Sequence, residues 1–180
     1  MYILLLILGI IFGIIALVLI IALFAKRDYS IRREINIEKP ISEVYDYLRH
    51  LVNQEKFSKW VMTDPTMKTT LTGTDGNVGF IYAWDSLNKN AGKGEQEIKS
   101  LETNKLIDVE VRFEKPFKGL AKTPFMLESN SENRTKVIWG MDSKMNYPMN
   151  FMLLILNMEK LLGKDLEVSL ENLKVILEEK

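Results

Sequence analysis

The 180-residue chain contains no cysteine and only one histidine. It therefore has no disulfide, no thiol nucleophile and no thiolate-bound metal, and one histidine excludes a site with several histidine ligands. Basic and acidic side chains are equal in number, 24 of each, without a basic run, so nucleic acid is not an expected partner. On these grounds we assign no catalytic residue, no metal and no cofactor.

The first 25 residues also lack charge, and only Gly9 and Gly13 among them are not hydrophobic. As a helix, residues 2–25 would extend about 36 Å, enough to cross a hydrocarbon core of about 30 Å. The sequence therefore predicts a transmembrane anchor over residues 1–25 and a soluble domain over residues 26–180. The alternatives are a buried helix and a cleaved signal peptide, but the segment has neither a basic start nor a small-x-small cleavage pattern.

Gly9 and Gly13 are spaced as in the small-xxx-small pattern, which lets two membrane helices approach closely. The pattern predicts a weak homodimer through this face of the anchor. The alternative is that glycine is simply common in membrane helices.

The remaining chain shows two kinds of periodicity. Alternation of apolar and polar residues, clearest from Ile107 to Phe113, predicts strands over residues 30–37, 67–72, 78–85, 92–101, 106–113, 119–129 and 135–145. Helical spacing predicts short helices near residues 41–48 and 53–59. Leucines at 162, 166, 170, 173 and 177 predict a long terminal helix over residues 160–179. We therefore expect an α+β domain in which one curved antiparallel sheet wraps around a long C-terminal helix.

Several short motifs carry a family resemblance. They are Trp60, Asp64-Pro65, Gly76 and Gly79 before Tyr82-Ala83-Trp84, Gly92-Lys93-Gly94, Lys115-Pro116-Phe117, Trp139-Gly140-Met141 and Gly163-Lys164-Asp165-Leu166-Glu167. With this order of elements, the chain after the anchor resembles the START and Bet v 1-like superfamily (SRPBCC), in particular its bacterial polyketide cyclase/dehydrase-like proteins. The resemblance implies a helix-grip fold whose cavity, between sheet and helix, binds lipids, sterols, polyketides or other apolar molecules.

Strand alternation selects the side chains expected to line that cavity. They are Phe80, Tyr82, Trp84, Gln96, Ile98, Val109, Val111, Phe113, Phe125, Trp139 and Met141. Alternatively, these residues only pack as core. Ser100 is expected beside Gln96 on the same face, and the polar atoms of Tyr82, Trp84 and Trp139 need partners if buried.

Other polar residues give weaker signals. Asp64, Asp85 and Asp142 are candidate carboxylates at the cavity mouth, although acidic residues at strand ends are usually just hydrated. His50 follows the first amphipathic helix and is interpreted as a solvated or capping residue instead of a general base.

The run from Met149 to Met158 is apolar on all sides. It is either buried under the rim of the sheet or rests on the bilayer surface near the cavity mouth.

These observations favour membrane-anchored binding of a hydrophobic small molecule or lipid. Two alternatives stay open: a cyclase or dehydrase that uses the same pocket, and an interaction module that binds a protein partner beside the membrane.

Four basic residues, Lys26, Arg27, Arg32 and Arg33, follow the anchor and none precedes it. The positive-inside rule then predicts a single-pass protein of a bacterial inner membrane with residues 26–180 in the cytoplasm. Reporter fusions after residue 180 test this orientation: green fluorescent protein should fluoresce and alkaline phosphatase should stay inactive. An active phosphatase would show the opposite orientation.

Overall fold

A computed structural model describes residues 2–179. The strands are β1 Asp28–Ile37, β2 Lys68–Thr72, β3 Ile81–Asp85, β4 Lys93–Glu102, β5 Leu106–Lys115, β6 Gly119–Lys122, β7 Phe125–Ser131 and β8 Arg134–Lys144. The helices are α1 Tyr2–Phe24, α2 Ile41–Leu48, α3 Gln54–Phe57, α4 Met152–Ile155 and α5 Met158–Glu178. Single 3-10 turns occur at Leu51–Asn53, Val61–Thr63 and Met149–Phe151.

The eight strands form one antiparallel sheet in the order β1-β8-β6-β5-β4-β3-β2, and β7 pairs with both β5 and β8. Pairing of β1 with β8 runs from Asp28 opposite Lys144 to Ile37 opposite Thr135. This pairing brings the segment after α1 beside the segment that precedes α5. The predicted α+β class, with an antiparallel sheet and a long C-terminal helix, is confirmed.

Helix α5 covers the inner face of the sheet with its leucine stripe. Leu166, Leu170, Leu173 and Leu177 are buried, while Leu162 is partly buried against the same core. Burying one such side chain contributes roughly 1.5–3 kcal/mol, so the stripe alone accounts for a large part of the attachment of α5 to the sheet. The predicted stripe is confirmed.

Two details of the strands differ from the sequence prediction. The predicted strand 119–129 is divided into β6 and β7 at Thr123 and Pro124, because proline has no N–H to donate to a neighbouring strand. The expected inward position of Ser100 is wrong. A bulge places Lys99 outside the register between Ile98 and Ser100, so the alternation reverses and Ser100 is exposed.

Helix α1 is long and apolar enough to cross a bilayer. A signal sequence near an N-terminus would meet the same criteria of length and composition. Most of its length is exposed, but its last turn contacts the domain. There Ala22 is buried, and the side-chain amide of Asn150 donates to the carbonyl oxygens of Ala22 (2.7 Å) and Ala25 (3.1 Å). The backbone N–H of Met145 also donates to the carbonyl of Arg27 at 2.8 Å. The domain therefore holds the C-terminal end of α1 directly.

Gly94 gives a testable consequence of this packing. A Cβ at this position would lie 2.5 Å from the backbone oxygen of Arg112 and 2.9 Å from the ring of Trp84, which stands opposite it on β3. Gly94→Ala should therefore lower the free energy of unfolding by about 1–3 kcal/mol. Denaturant unfolding of the full chain in detergent micelles, followed by tryptophan emission, measures the change.

Gly119→Ala is the matched control on a neighbouring part of the sheet. The nearest atom to its added methyl group is 3.9 Å away, so the free energy of unfolding should change by no more than about 0.5 kcal/mol. Equal stabilities of the two variants would show that the close packing of Trp84 on Gly94 is wrong.

Candidate ligand cavity

The eleven side chains that strand alternation selects lie on the inner side of the sheet. Nine of them are buried, and Trp84 and Phe113 are partly exposed and pack against the core. The register of the sheet explains the shared face: Tyr82 stands opposite Gln96, and Gln96 opposite Val111. The inner wall therefore contains the predicted side chains, with Trp84 and Phe113 in edge-to-face contact at one end (6.3 Å between ring centroids).

Aromatic rings fill one part of this interior. Trp139 stacks on Phe125 with centroids 4.6 Å apart, and the edges of Phe57 and Trp60 meet it at 5.9 Å and 5.8 Å. Offset and edge-to-face pairs of this kind contribute about 0.5–1.5 kcal/mol each beyond the area that they bury. This aromatic cluster makes the interior solid below the centre of α5.

Open space occurs beside the cluster, toward β2 and β3. A cavity of about 430 Å³ opens to solvent here, and its lining residues are Glu55, Met62, Pro65 and Thr69, which are exposed, and Val61, Asp64, Met67 and Tyr82. Its walls come from α3, the 3-10 turn at Val61–Thr63, the segment that leads into β2, and β2 and β3 themselves. One of the eleven predicted side chains, Tyr82, is among these eight lining residues. Ligand binding at all eleven positions stays a prediction.

Tyr82 and Glu55 form the polar pair of the cavity. The Tyr82 hydroxyl donates to Oε1 of Glu55 at 2.9 Å. Burial raises the pKa of the Tyr82 hydroxyl, and the hydrogen bond to Glu55 and its negative charge raise it further. Tyr82 is therefore a protonated donor over the whole physiological range.

Asp64 is the second acid of the cavity and has its own donors. Its carboxylate accepts hydrogen bonds from the Ser86 hydroxyl, from the Thr66 hydroxyl (2.6 Å) and from the Thr66 N–H (2.9 Å). The Ser86 hydrogen bond, followed by those of Thr66, lowers the pKa of Asp64. Since none of the eight lining residues is basic, the cavity presents negative charge and hydrogen-bond acceptors.

The other candidate carboxylates at the mouth lie elsewhere. Asp85 is 3.7 Å from Nζ of Lys93, and Asp142 pairs with Arg32 at 2.5 Å beside a separate surface depression of about 370 Å³. His50 does not line the 430 Å³ cavity, and its Nδ1 lies 3.4 Å from a carboxylate oxygen of Asp75. Within residues 2–179 no three or more His, Asp or Glu side chains are grouped to hold a metal ion.

The three polar aromatic side chains have different partners. Tyr82 donates to Glu55, and Trp84 Nε1 donates to the backbone oxygen of Ala91 at 3.0 Å. Trp139, which is 2% exposed, has a buried Nε1–H without an acceptor among residues 2–179. A buried donor without a partner costs about 1–3 kcal/mol, so the Trp139 N–H would be stabilised by donating to an acceptor in this interior.

Sequence reasoning missed most residues of the cavity wall. Val61, Met62 and Pro65 lie in a 3-10 turn and a loop without helical or strand periodicity, while Glu55 in α3 and Met67 just before β2 lie at elements too short for their period to select a face. The sequence offers one signal for this wall, the Met and Val residues near Trp60. These residues do not share one face of a helix or strand.

No protein-family model and no curated protein sequence matches the chain. Solved structures do match. Truncated norcoclaurine synthase from Thalictrum flavum is similar with a TM-score of 0.66 and 10% identity, over 87% of this chain and 97% of that chain. An uncharacterized protein from Rhizobium leguminosarum has a TM-score of 0.61 and 12% identity, over 87% and 98%. The Aha1 dimer from Colwellia psychrerythraea has a TM-score of 0.52 and 21% identity, over 83% and 96%.

The chain has a Bet v 1-type helix-grip fold. The agreement extends over nearly the whole length of each neighbour, so it covers both the sheet and the long C-terminal helix that grips it. A helix-grip fold is suited to ligand binding because one helix does not fill a strongly curved sheet. At these identities the likeness concerns the fold alone, so function has to be argued from the cavity of this chain.

The hydrogen bond between Ser86 and Asp64 is open to test. Ser86→Ala should raise the pKa of Asp64 toward its ordinary value, since the largest cause of its lowering is removed. NMR titration of the side-chain carboxyl carbon, with the full chain in micelles, measures the pKa of Asp64. Ser100→Ala, which removes an exposed hydroxyl elsewhere, is the control and should leave the pKa of Asp64 unchanged. An unchanged pKa of Asp64 in the Ser86→Ala variant would contradict the hydrogen bond between Ser86 and Asp64.

Proposed function

We propose that the protein is a membrane-anchored binding protein for a hydrophobic small molecule or lipid. The cavity of about 430 Å³ carries the proposal, because it falls within the roughly 300–1,000 Å³ of pockets that enclose small ligands. Four of its eight lining residues, Val61, Met62, Pro65 and Met67, are apolar. They suit the apolar body of such a ligand.

The polar side of the cavity limits the chemistry of the ligand. Glu55 and Asp64 are hydrogen-bond acceptors, and no basic side chain among the eight lining residues offsets their charge. A ligand with a hydroxyl or amino group at one end can donate to these carboxylates, while an anionic end would be repelled. We therefore favour an amphipathic ligand with a neutral or cationic donor group over a fatty acid or phosphate.

Binding is favoured over catalysis by the state of Tyr82. A general acid or base works best with a pKa near the working pH, and burial moves the pKa of Tyr82 away from that range. The motifs of the chain resemble the bacterial polyketide cyclase/dehydrase-like subgroup, but no feature of this cavity favours that reaction.

The anchor is supported by the contact between Asn150 and α1. The Asn150 side chain is fully buried, and its amide donates to the carbonyls of Ala22 and Ala25. Removal of α1 as a signal peptide would remove both acceptors of these hydrogen bonds. A helix that stays attached gives the buried Asn150 amide its partners.

The ligand is tested by a variant that fills the cavity. The full chain is purified in detergent, extracted with organic solvent and analysed by mass spectrometry. Thr69 lines the cavity, so Thr69→Trp should remove the bound compound because the ring occupies its space. Thr70, the next residue of β2, does not line it, and Thr70→Trp should retain the compound.

The comparison of the two variants also removes the contribution of lipids that associate with α1, because both variants keep the anchor. Equal extracts from the wild type and from both variants would contradict ligand binding in this cavity. A stable protein partner with an empty cavity in the wild type would favour the interaction-module alternative.

A further inference from the structure

The segment after β8 leaves an apolar surface exposed beside the end of α1. Residues 145–158 contain no charged side chain. Leu154, Ile155 and Leu161 are 58%, 63% and 57% exposed, and Met149 and Leu156 are exposed beside them. These five residues are called the docking surface below. The alternative from the sequence, that the run from Met149 to Met158 is buried under the rim of the sheet, does not describe Met149, Leu154, Ile155 and Leu156.

The position of the docking surface follows from its attachment to α1. The 3-10 turn Met149–Phe151 and α4 form the start of this surface, and Asn150 in that turn binds the last turn of α1. Three residues, 25–27, separate α1 from β1, and such a linker spans about 10 Å at most. If α1 crosses a bilayer, the docking surface must therefore lie at the edge of that bilayer.

The charges around the docking surface suit a lipid interface. Lys26 and Arg27 follow α1 and are exposed, and Lys160 is exposed just after the uncharged segment. The two acids in this region are paired, Glu159 with Arg33 and Asp28 with Lys144. Apolar side chains with basic residues beside them are typical of segments that lie in the plane of a membrane interface.

We propose that the docking surface inserts into the interface of the same bilayer that α1 crosses, with Asn150 fixing its position. The occupant is the phospholipid bilayer itself. The inference rests on the membrane anchor of the proposed function, but not on ligand binding in the cavity. It gives the domain a second attachment, which holds one orientation of the cavity relative to the membrane.

The test uses the absence of native cysteine, which makes single-cysteine labelling unambiguous. The full chain carrying Ile155→Cys is labelled with nitrobenzoxadiazole and reconstituted into vesicles of phosphatidylcholine and phosphatidylglycerol. Lipids brominated near the carbonyl end of the acyl chain should quench its emission strongly, and lipids brominated near the methyl end should quench it weakly. Its emission should also shift to shorter wavelength relative to the free dye in aqueous buffer.

Two matched variants complete the test. Ile11→Cys, in the middle of α1, should be quenched most by the deep bromines. Val175→Cys is an exposed apolar position on α5, about 26 Å along the helix from Met158, and should not be quenched.

The first three of the following outcomes overturn the proposal, and the fourth rejects only ligand binding in the cavity. An unquenched, water-exposed label at Ile155 together with a quenched Ile11 label would leave the anchor intact and reject the docking surface. A label at Ile155 that is shielded from water but not quenched by lipid would identify a second copy or a protein partner instead. A water-exposed Ile11 label would reject both the anchor and the docking surface. Equal extracts from the wild type, Thr69→Trp and Thr70→Trp, together with a quenched Ile155 label, would reject cavity binding and leave the docking surface supported.

Discussion

Trp139 stacks on Phe125, and the edges of Phe57 and Trp60 close around it. This aromatic cluster constrains the whole interior, because it occupies the space between the curved sheet and α5 that one helix cannot fill. The open space lies toward β2 and β3, where α3, a 3-10 turn, the segment that leads into β2 and the two strands form the wall, and none of the eight lining residues belongs to α5. The solid part stabilises the fold, and the open part is available for a ligand.

The distribution of charge follows the same division between inside and outside. On the outer face, Arg112 binds Glu95, Glu97 and Glu110, each at 2.7 Å. These contacts raise the pKa of Arg112 and lower that of Glu97. The cavity has acids without a basic partner among its lining residues, so its negative charge is not neutralised from within. A donor group on a ligand would give these acids the hydrogen-bond partner that the other lining residues do not provide.

Much of the fold could be predicted because the spacing of apolar residues identifies the buried face of each strand or helix. The alternation from Ile107 to Phe113 and the leucine stripe of α5 each identify a dry side, and the two sides can only bury each other. The bulge at Lys99 could not be predicted, because one residue outside the register reverses every later face without changing the local composition. Pro124, in contrast, was visible in the sequence as a residue that cannot donate within a strand.

The candidate site was harder to predict than the fold. Glu55 and Met62 lie in a one-turn helix and a 3-10 turn, which are too short for their period to indicate which side chains line the cavity. Asn150 bonds to a residue 128 positions earlier, a contact that no local pattern indicates. Strand phase identified the wall but not the void, because a face shared by side chains does not determine how completely neighbouring rings fill it.

A crystal structure of the full chain purified from membranes is the decisive test of ligand binding in the cavity. We expect electron density for an apolar ligand between Tyr82 and Met67, with a polar end within hydrogen-bond distance of Glu55 or Asp64. A cavity closed by its own side chains, with Met62 and Met67 packed onto Tyr82 and no room for a guest, would contradict it.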